Sequence, residues 1–202
     1  MLQGPGHGEK GSRPFKMKNS YLIALGSNLT SGSGGPAETL RKALKLLSKY
    51  GAVIRTTSTF YHNPAFPAGS GPDFVNAVVF LEAKFDPTVM LSILHQIEGE
   101  MGRERVQRWG QRTLDLDLIA SADMVLPDLE THQHWRDLPL ERQLSEAPNQ
   151  LVLPHPRMQD RAFVLVPMAD VAPDWVHPVL QRSVLEMLDG LPIEDKNAVK
   201  PM

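Results

Sequence analysis

Short apolar runs at four places along the chain predict β-strands. The first, YLIALG, is almost wholly apolar, as expected of a strand that is buried on both faces. The second and third are rich in β-branched and aromatic residues, and the fourth alternates between apolar and polar positions. The predicted strands cover residues 21–26, 53–61, 74–83 and 113–121.

Apolar residues spaced three and four positions apart predict two helices between these strands. Pro36 opens the first helix and Gly51 ends it, whereas Asp86 and Pro87 begin the second, which runs to Met101. The order strand, helix, strand, strand, helix, strand is that of the split βαβ plan. The sequence therefore predicts an α+β fold, with a mostly antiparallel sheet flanked by helices in three layers.

Outside this pattern the chain is more polar and less periodic. We expect a disordered leader, then a single domain that carries a polar insertion, and a loose C-terminal tail; these segments are residues 1–18, 19–190, 122–150 and 191–202, respectively. Two further helices are expected over residues 158–170 and 183–188, the second covering the other face of the sheet.

Composition excludes several classes of function. The net charge is −2 and the chain has no cysteine, so disulfides, thiolate catalysis and zinc–thiolate sites are ruled out. No apolar run approaches the roughly 20 residues that a membrane helix needs, and the start of the chain lacks a secretion signal. We therefore expect a cytoplasmic protein with neither nucleic-acid nor membrane partners.

Two aspartates on one predicted strand are candidates for a metal site. The strand alternates, so Leu114, Leu116 and Leu118 face one way while Asp115 and Asp117 face the other. Same-face neighbours lie about 6.5–7 Å apart, and such a pair can hold two divalent cations about 3.5–4 Å apart. The alternative is an ordinary solvent-facing strand surface.

Four arginines lie just upstream of these aspartates. Arg103, Arg105, Arg108 and Arg112 suit a polyphosphate held by guanidinium groups on one side and by metal on the other. The alternative is a solvated loop paired with nearby glutamates. Trp109, among them, either stacks on a flat heterocycle or anchors the loop.

A proline-rich segment suggests a pocket for a flat, polar heterocycle. Residues 63–66 (NPAF) present rigid backbone groups, Phe74 offers a ring face, and the Asn76 amide can both donate and accept. A connection whose aromatic residues complete the core is the alternative. His155, between two prolines, either touches a nucleotide or is a constrained loop residue, and we expect His132 and His134 at the surface.

Several motifs together resemble one family. YLIALGSNL, FYHNPAFPAGSGPDFVNAV, RWGQRTLDLDLI and LVLPHPRMQDRAFVLVPMADVAP are similar to segments of the 6-hydroxymethyl-7,8-dihydropterin pyrophosphokinases of folate biosynthesis. The likeness spans residues 21–121 and 151–177. It implies a ferredoxin-like βαββαβ core, ATP as co-substrate, two Mg²⁺ ions, and transfer of diphosphate from ATP to the pterin with release of AMP.

The resemblance also implies roles for individual residues. Catalytic residues would be Arg103, Arg112, Asp115 and Asp117, of which Asp115 and Asp117 hold the metals. ATP-binding residues would be Glu98, Arg105, Arg108, Arg112, His155 and Arg161. Pterin-binding residues would be Asn63, Pro64, Ala65, Phe66, Phe74, Asn76, Trp109 and Phe163.

Two other functions stay open on the sequence alone. A single-stranded RNA-binding module shares the strand–helix order but needs exposed aromatics and a basic sheet face, where this chain has two aspartates. An ordinary ATP kinase acting on another small alcohol would release ADP instead of AMP. We expect the protein to be a monomer.

Overall fold

An antiparallel sheet forms the centre of the computed structural model, which describes residues 19–30, 34–65, 71–102 and 113–202. The strand order is β5-β1-β4-β3-β6, with β2 also pairing with β4. β4 pairs with β1 along the whole length of β1, from Asn19 opposite Ala83 to Ser27 opposite Val75. The strands are β1 (Asn19–Ser27), β2 (Val53–Thr57), β3 (Tyr61–Asn63), β4 (Phe74–Ala83), β5 (Asp115–Ser121) and β6 (Lys200–Pro201).

The two helices predicted between the strands are present, with start and end signals in the sequence. The Asp86 carboxylate accepts the backbone N–H of Val89 at 2.9 Å, which caps the second helix. Gly51 follows the first helix at φ +93°, a conformation that favours glycine. The helices are α1 (Pro36–Lys49), α2 (Pro87–Glu100), α3 (Leu129–Arg136), α4 (Leu140–Ser145), α5 (Ala162–Val171), α6 (Val184–Asp189) and α7 (Ile193–Ala198), with a 3-10 turn at Met158–Asp160.

Both faces of the sheet are covered, which makes three layers. α1 and α2 pack on one face in a core that includes Leu25, Leu40, Leu94 and Leu114. α5 and α6 pack on the other face, around Val78 and their own apolar residues. Burying one such leucine contributes about 1.5–3 kcal/mol. Packing on both faces therefore stabilises the sheet. The predicted α+β fold, βαββαβ order and three-layer arrangement are confirmed.

Three regions differ from the simple pattern or refine it. The strand predicted over residues 53–61 is divided into β2 and β3, because the Ser58 hydroxyl accepts the Val78 N–H at 2.9 Å where a backbone partner would be expected. The helix expected over 158–170 is the 3-10 turn followed by α5. The helix expected over 183–188 is α6, which begins with a capping box between Ser183 and Glu186.

The prediction of a loose tail over residues 191–202 is wrong. α7 occupies part of this segment, β6 pairs with β3, and the Met202 N–H donates to the Phe60 carbonyl at 2.9 Å. Val199 is buried beside Tyr61. The tail is ordered mainly by backbone pairing, which leaves little hydrophobic pattern in the sequence. Residues 1–18 lie outside the described residues.

The insertion over residues 122–150 contains α3 and α4. An isolated bridge between Leu126 and Leu153 closes it against the segment that leads to His155. Within the described part of the chain, no helix is long and apolar enough to cross a membrane.

Candidate functional site

The two strand aspartates lie on one face of β5, as the alternation predicts. Leu114, Leu116 and Leu118 are at most 4% exposed and pack into the α1/α2 core. Asp115 and Asp117 are half-buried and belong to the opposite face. Because β5 is the edge strand beside β1, both carboxylates stand at the border of the sheet.

Gly26 lies on β1, between β5 and β4. It pairs with Asp115 on one side and with Asn76 on the other. A Cβ at this position would lie 2.9 Å from the Asn76 Oδ1 atom. Because Gly26 has no side chain, the Asn76 amide can lie over β1 at this position.

The pterin candidates on β3 and β4 form a polar group beside Gly26. The Asn76 side-chain N–H donates to the Asn63 amide oxygen, and Asn63 in turn donates to the Pro64 carbonyl at 3.0 Å. Phe74 pairs with Asn63 in the sheet and is half-buried. The structure thus brings Asn63, Phe74 and Asn76 together, while Ala65 is buried and Pro64 is exposed.

A buried carboxylate supports the strand that carries the acids. Glu98 on α2 is 1% exposed, and its Oε1 accepts the backbone N–H of Leu116 at 2.8 Å. This N–H lies at the outer edge of β5, where none of the described strands pairs with it. Glu98 therefore holds the backbone of β5 at Leu116, between Asp115 and Asp117.

The His155 segment lies along the same outer edge. The His155 N–H donates to the Ile119 carbonyl at 2.7 Å, and its Nδ1 accepts the Arg157 N–H at 3.2 Å. Burial lowers the pKa of His155 to about 3, helped by the charges of Arg161 and Arg157 and opposed in part by Asp115. The imidazole is therefore neutral near pH 7, with its proton on Nε2.

Arg161 and Phe163 stand at the start of α5. The Arg161 guanidinium lies 5.6 Å from the centre of the Phe163 ring, a cation–π contact. Phe163 also packs against the buried side chains of Tyr61 and Ala162. The start of α5 is thereby placed near β3, on the face of the sheet opposite α1 and α2.

Six predicted site residues cannot be placed. They lie outside the described residues and are Phe66, Arg103, Arg105, Arg108, Trp109 and Arg112. Among the residues that the structure does describe, no group of three or more His, Asp or Glu side chains could enclose a metal. A metal at the two aspartates would accordingly take further ligands from substrate or water.

Sequence reasoning missed two residues that anchor the neighbouring loops. The Ser27 hydroxyl, fully buried, donates to the Thr113 carbonyl at 2.5 Å, and the Asn28 amide donates to the Pro72 carbonyl at 3.3 Å. The residues that lead into β5 and β4 are thus held at the end of β1. The signal was the pair of polar residues that directly follows an apolar strand.

His132 is buried, contrary to the prediction. We expected it at the surface, but its side chain is fully buried, and its Nε2 lies 3.0 Å from the Pro154 carbonyl. His132 has few apolar neighbours along the chain, so no local hydrophobic pattern indicates its burial. His134 is exposed, as expected.

Comparison with known proteins identifies the family. The model of the 7,8-dihydro-6-hydroxymethylpterin-pyrophosphokinase (HPPK) family matches residues 22–173. The chain belongs to the HPPK family. It is 34% identical over 182 residues to the 2-amino-4-hydroxy-6-hydroxymethyldihydropteridine pyrophosphokinase of Synechocystis, covering 90% of this chain and 79% of the relative. The protein of the same name from Haemophilus influenzae is 36% identical over 157 residues, covering 77% and 83%.

Solved structures agree on the fold. Wild-type HPPK-DHPS of Plasmodium falciparum aligns with a TM-score of 0.62 at 17% identity, covering 86% of this chain and 44% of that chain. This chain therefore spans less than half of that protein. The RNA-binding alternative is not supported, because α5 and α6 cover the sheet face that such a module leaves open.

Proposed function

We propose that this HPPK-family chain transfers diphosphate from ATP to the hydroxymethyl oxygen of 6-hydroxymethyl-7,8-dihydropterin, with release of AMP, in tetrahydrofolate biosynthesis. The observation that carries the proposal is the border of the sheet. There, Asp115 lies across Gly26 from Asn76, whose amide is bonded to Asn63, and Asp117 follows Asp115 on the same face of β5. The relatives named above carry the name of this activity.

In the reaction, the pterin oxygen forms a bond to the β-phosphorus of ATP. The bond between that phosphorus and the oxygen leading to the α-phosphate breaks, and AMP leaves. The hydroxyl proton passes to a phosphate oxygen or to solvent. This chemistry asks the protein mainly for positioning and for charge stabilisation.

The donor set at Asp115 and Asp117 fits magnesium. Both donors are carboxylate oxygens, and magnesium prefers one or two carboxylates with substrate phosphates and water. Two bound ions would neutralise phosphate charge and favour loss of the hydroxyl proton. We propose that Asp115 and Asp117 hold them, while Gly26 leaves room above β1 for the substrate.

Other residues are proposed to bind the pterin and ATP. Asn63 and Asn76 supply donors and acceptors to the pterin edge, and Phe74 supplies a ring face. His155, neutral with a proton on Nε2, donates to a phosphate or ribose oxygen, and Arg161 adds positive charge. We propose that Glu98 both supports β5 and contributes to ATP binding.

Roles for the residues outside the described ranges rest on their sequence positions. We propose that Arg103 and Arg112 stabilise charge on the transferring phosphates and that Arg105 and Arg108 bind ATP. Phe66 and Trp109 would contact the pterin. Monomeric state remains an expectation that size-exclusion chromatography with light scattering checks.

Product analysis tests the proposal directly. The chain is incubated with ATP, magnesium and the reduced hydroxymethylpterin, and nucleotides are separated by chromatography. AMP should form only when the pterin is present and in a one-to-one ratio with pterin diphosphate. Formation of ADP would instead identify an ordinary kinase, and formation of neither product would overturn the proposal.

A further inference from the structure

Two buried histidines lie outside the proposed mechanism. His132 on α3 and His177, which precedes α6, are both fully buried, and their ring centres are 5.7 Å apart in an edge-on arrangement. Each ring has one nitrogen with a hydrogen-bond partner and one without. The nitrogens without a partner are Nδ1 of His132 and Nε2 of His177.

The existing hydrogen bonds fix the tautomer of each ring. Nε2 of His132 lies 3.0 Å from the Pro154 carbonyl oxygen, which can only accept, so Nε2 carries the proton and Nδ1 is an acceptor. Nδ1 of His177 accepts the N–H groups of Val179 and Leu180 at 3.1 and 3.2 Å, so its proton is on Nε2. A buried donor therefore stands beside a buried acceptor.

Neutral rings are required for this complementarity. Burial lowers the pKa of His177 to about 4, with His132 and Arg136 adding to the effect, and burial also lowers the pKa of His132. Near pH 7 both imidazoles are thus neutral. A direct hydrogen bond after a small ring rotation, or one buried water, would satisfy both nitrogens.

His132 also contacts the segment that contains His155, the residue proposed to bind ATP. The Pro154 carbonyl and the His155 N–H belong to the same peptide group. His132 binds the carbonyl, while Ile119 on β5 accepts the N–H at 2.7 Å. One peptide group is therefore held from both sides, by the insertion and by the strand of the two aspartates.

We propose that His132 is a positioning residue: His177 Nε2–H bonds to His132 Nδ1, directly or through one water, and His132 Nε2–H holds the Pro154–His155 peptide for ATP binding. Supplying His132 is then the role of the inserted helix α3. This inference rests on the proposed function, because it takes His155 as an ATP contact. His132 itself touches no substrate.

Ligand affinities of matched variants test the positioning role. His132→Leu removes the donor, His132→Gln keeps an Nε2–H donor, and His134→Leu changes an exposed histidine of the same helix. Calorimetry with a non-hydrolysable ATP analogue and magnesium, and separately with the pterin, gives both affinities. His132→Leu should weaken the analogue about tenfold, the scale of one lost hydrogen bond, and leave pterin affinity within about twofold.

Rescue decides between positioning and general damage. His132→Gln should restore analogue affinity to within about threefold of wild type, and His134→Leu should match wild type. Equal weakening of both ligands, or no weakening of the analogue, would overturn the proposal. If His132→Leu does not fold, wild-type analogue affinity in the His132→Ala and His132→Phe variants would overturn it equally.

A spectroscopic measurement is independent of catalysis. Long-range ¹⁵N–¹H spectra of the wild-type imidazoles at pH 7 should show the Nε2–H tautomer for both His132 and His177, and His132→Gln should shift the His177 Nε2 signal. An Nδ1–H tautomer at either ring would overturn the link. If wild type makes no AMP while the spectra and the ATP affinities behave as expected, the proposed function fails and the link stands.

Discussion

At the scale of single residues, the β5 carboxylates give the sharpest test. Asp117→Asn keeps the shape of the side chain but removes a charge that we propose to hold magnesium. AMP formation should fall by about 1,000-fold, or about 4 kcal/mol in the barrier. The thermal midpoint should stay the same or rise, because two like charges no longer share one strand face.

Asp123→Asn is the matched control, since Asp123 is an exposed acid just beyond the same strand. It should keep wild-type turnover. A wild-type rate in Asp117→Asn would remove the metal role from β5. A low rate together with a lowered thermal midpoint would mean that the substitution damages the fold.

Gly26 gives a second test at this scale. A Cβ in Gly26→Ala would lie 2.9 Å from Asn76 Oδ1, so the amide must move. We expect the KM for the pterin to rise about tenfold while the KM for ATP stays within about twofold, because loss of one hydrogen bond is worth about that factor. Steady-state kinetics with each substrate varied separately measures this.

Gly99→Ala is the control, because a Cβ there meets nothing within 4 Å and the residue lies inside α2. It should leave both KM values unchanged and add up to about 1 kcal/mol of stability from helix propensity. An unchanged pterin KM in Gly26→Ala would show that the pterin does not use the Asn76 amide.

The sequence reveals these residues unequally. Alternation along a strand has a period of two, so Asp115 and Asp117 are visible as a pair without any structure. The role of Gly26 depends on Asn76, which lies on another strand and meets it only through sheet register. Contacts of that kind leave no local pattern, and the same holds for the bond from Ser27 to Thr113.

At the scale of elements, β5 depends on α2 for its outer edge. Glu98→Ala would leave the buried Leu116 N–H without its acceptor, which costs about 1–3 kcal/mol, whereas Glu98→Gln keeps a carbonyl oxygen there. We therefore expect a clearly larger loss of unfolding free energy in the alanine variant. Urea denaturation measures the difference.

Hydrogen exchange localises the effect. The Leu116 amide should exchange faster in Glu98→Ala than in Glu98→Gln, relative to the buried amides of β1, because only the edge of β5 loses its partner. Equal exchange and equal stability in the two variants would show that the carboxylate does not hold the strand.

Helices and strands were predictable where they carry their own signals. Pro36 and the Asp86 cap marked helix starts correctly, and the apolar run of β1 marked the central strand. The segment after Leu191 was missed because β6 adds to the edge of β3 through backbone groups. Every residue except proline offers the same backbone groups, so no side-chain pattern predicts this pairing.

At the scale of the whole molecule, buried neutral histidines tie stability to pH. The folded-state pKa of His177 is lowered to about 4, against about 6.5 in an unfolded chain. Between these values the unfolded state binds more protons, so unfolding free energy rises with pH. The stabilisation is complete above about pH 6.5 and is lost as pH falls towards 4, a total of about 3 kcal/mol.

His177→Gln should therefore flatten the dependence of stability on pH. Between pH 6.5 and 5 its unfolding free energy should change by about 1 kcal/mol less per pH unit than that of wild type, even if its absolute stability is lower. Denaturant titrations at several pH values measure the slope. His134→Gln, at an exposed site of α3, is the control and should keep the wild-type slope.

The comparison of slopes isolates one imidazole. Carboxylates also begin to titrate near pH 5, but they are the same groups in wild type and in both variants, so their contribution cancels in the difference. What remains is the proton that His177 takes up only on unfolding. A wild-type slope in His177→Gln would mean that this ring titrates alike in the folded and unfolded chain, and such behaviour requires access to water that a fully buried side chain does not have.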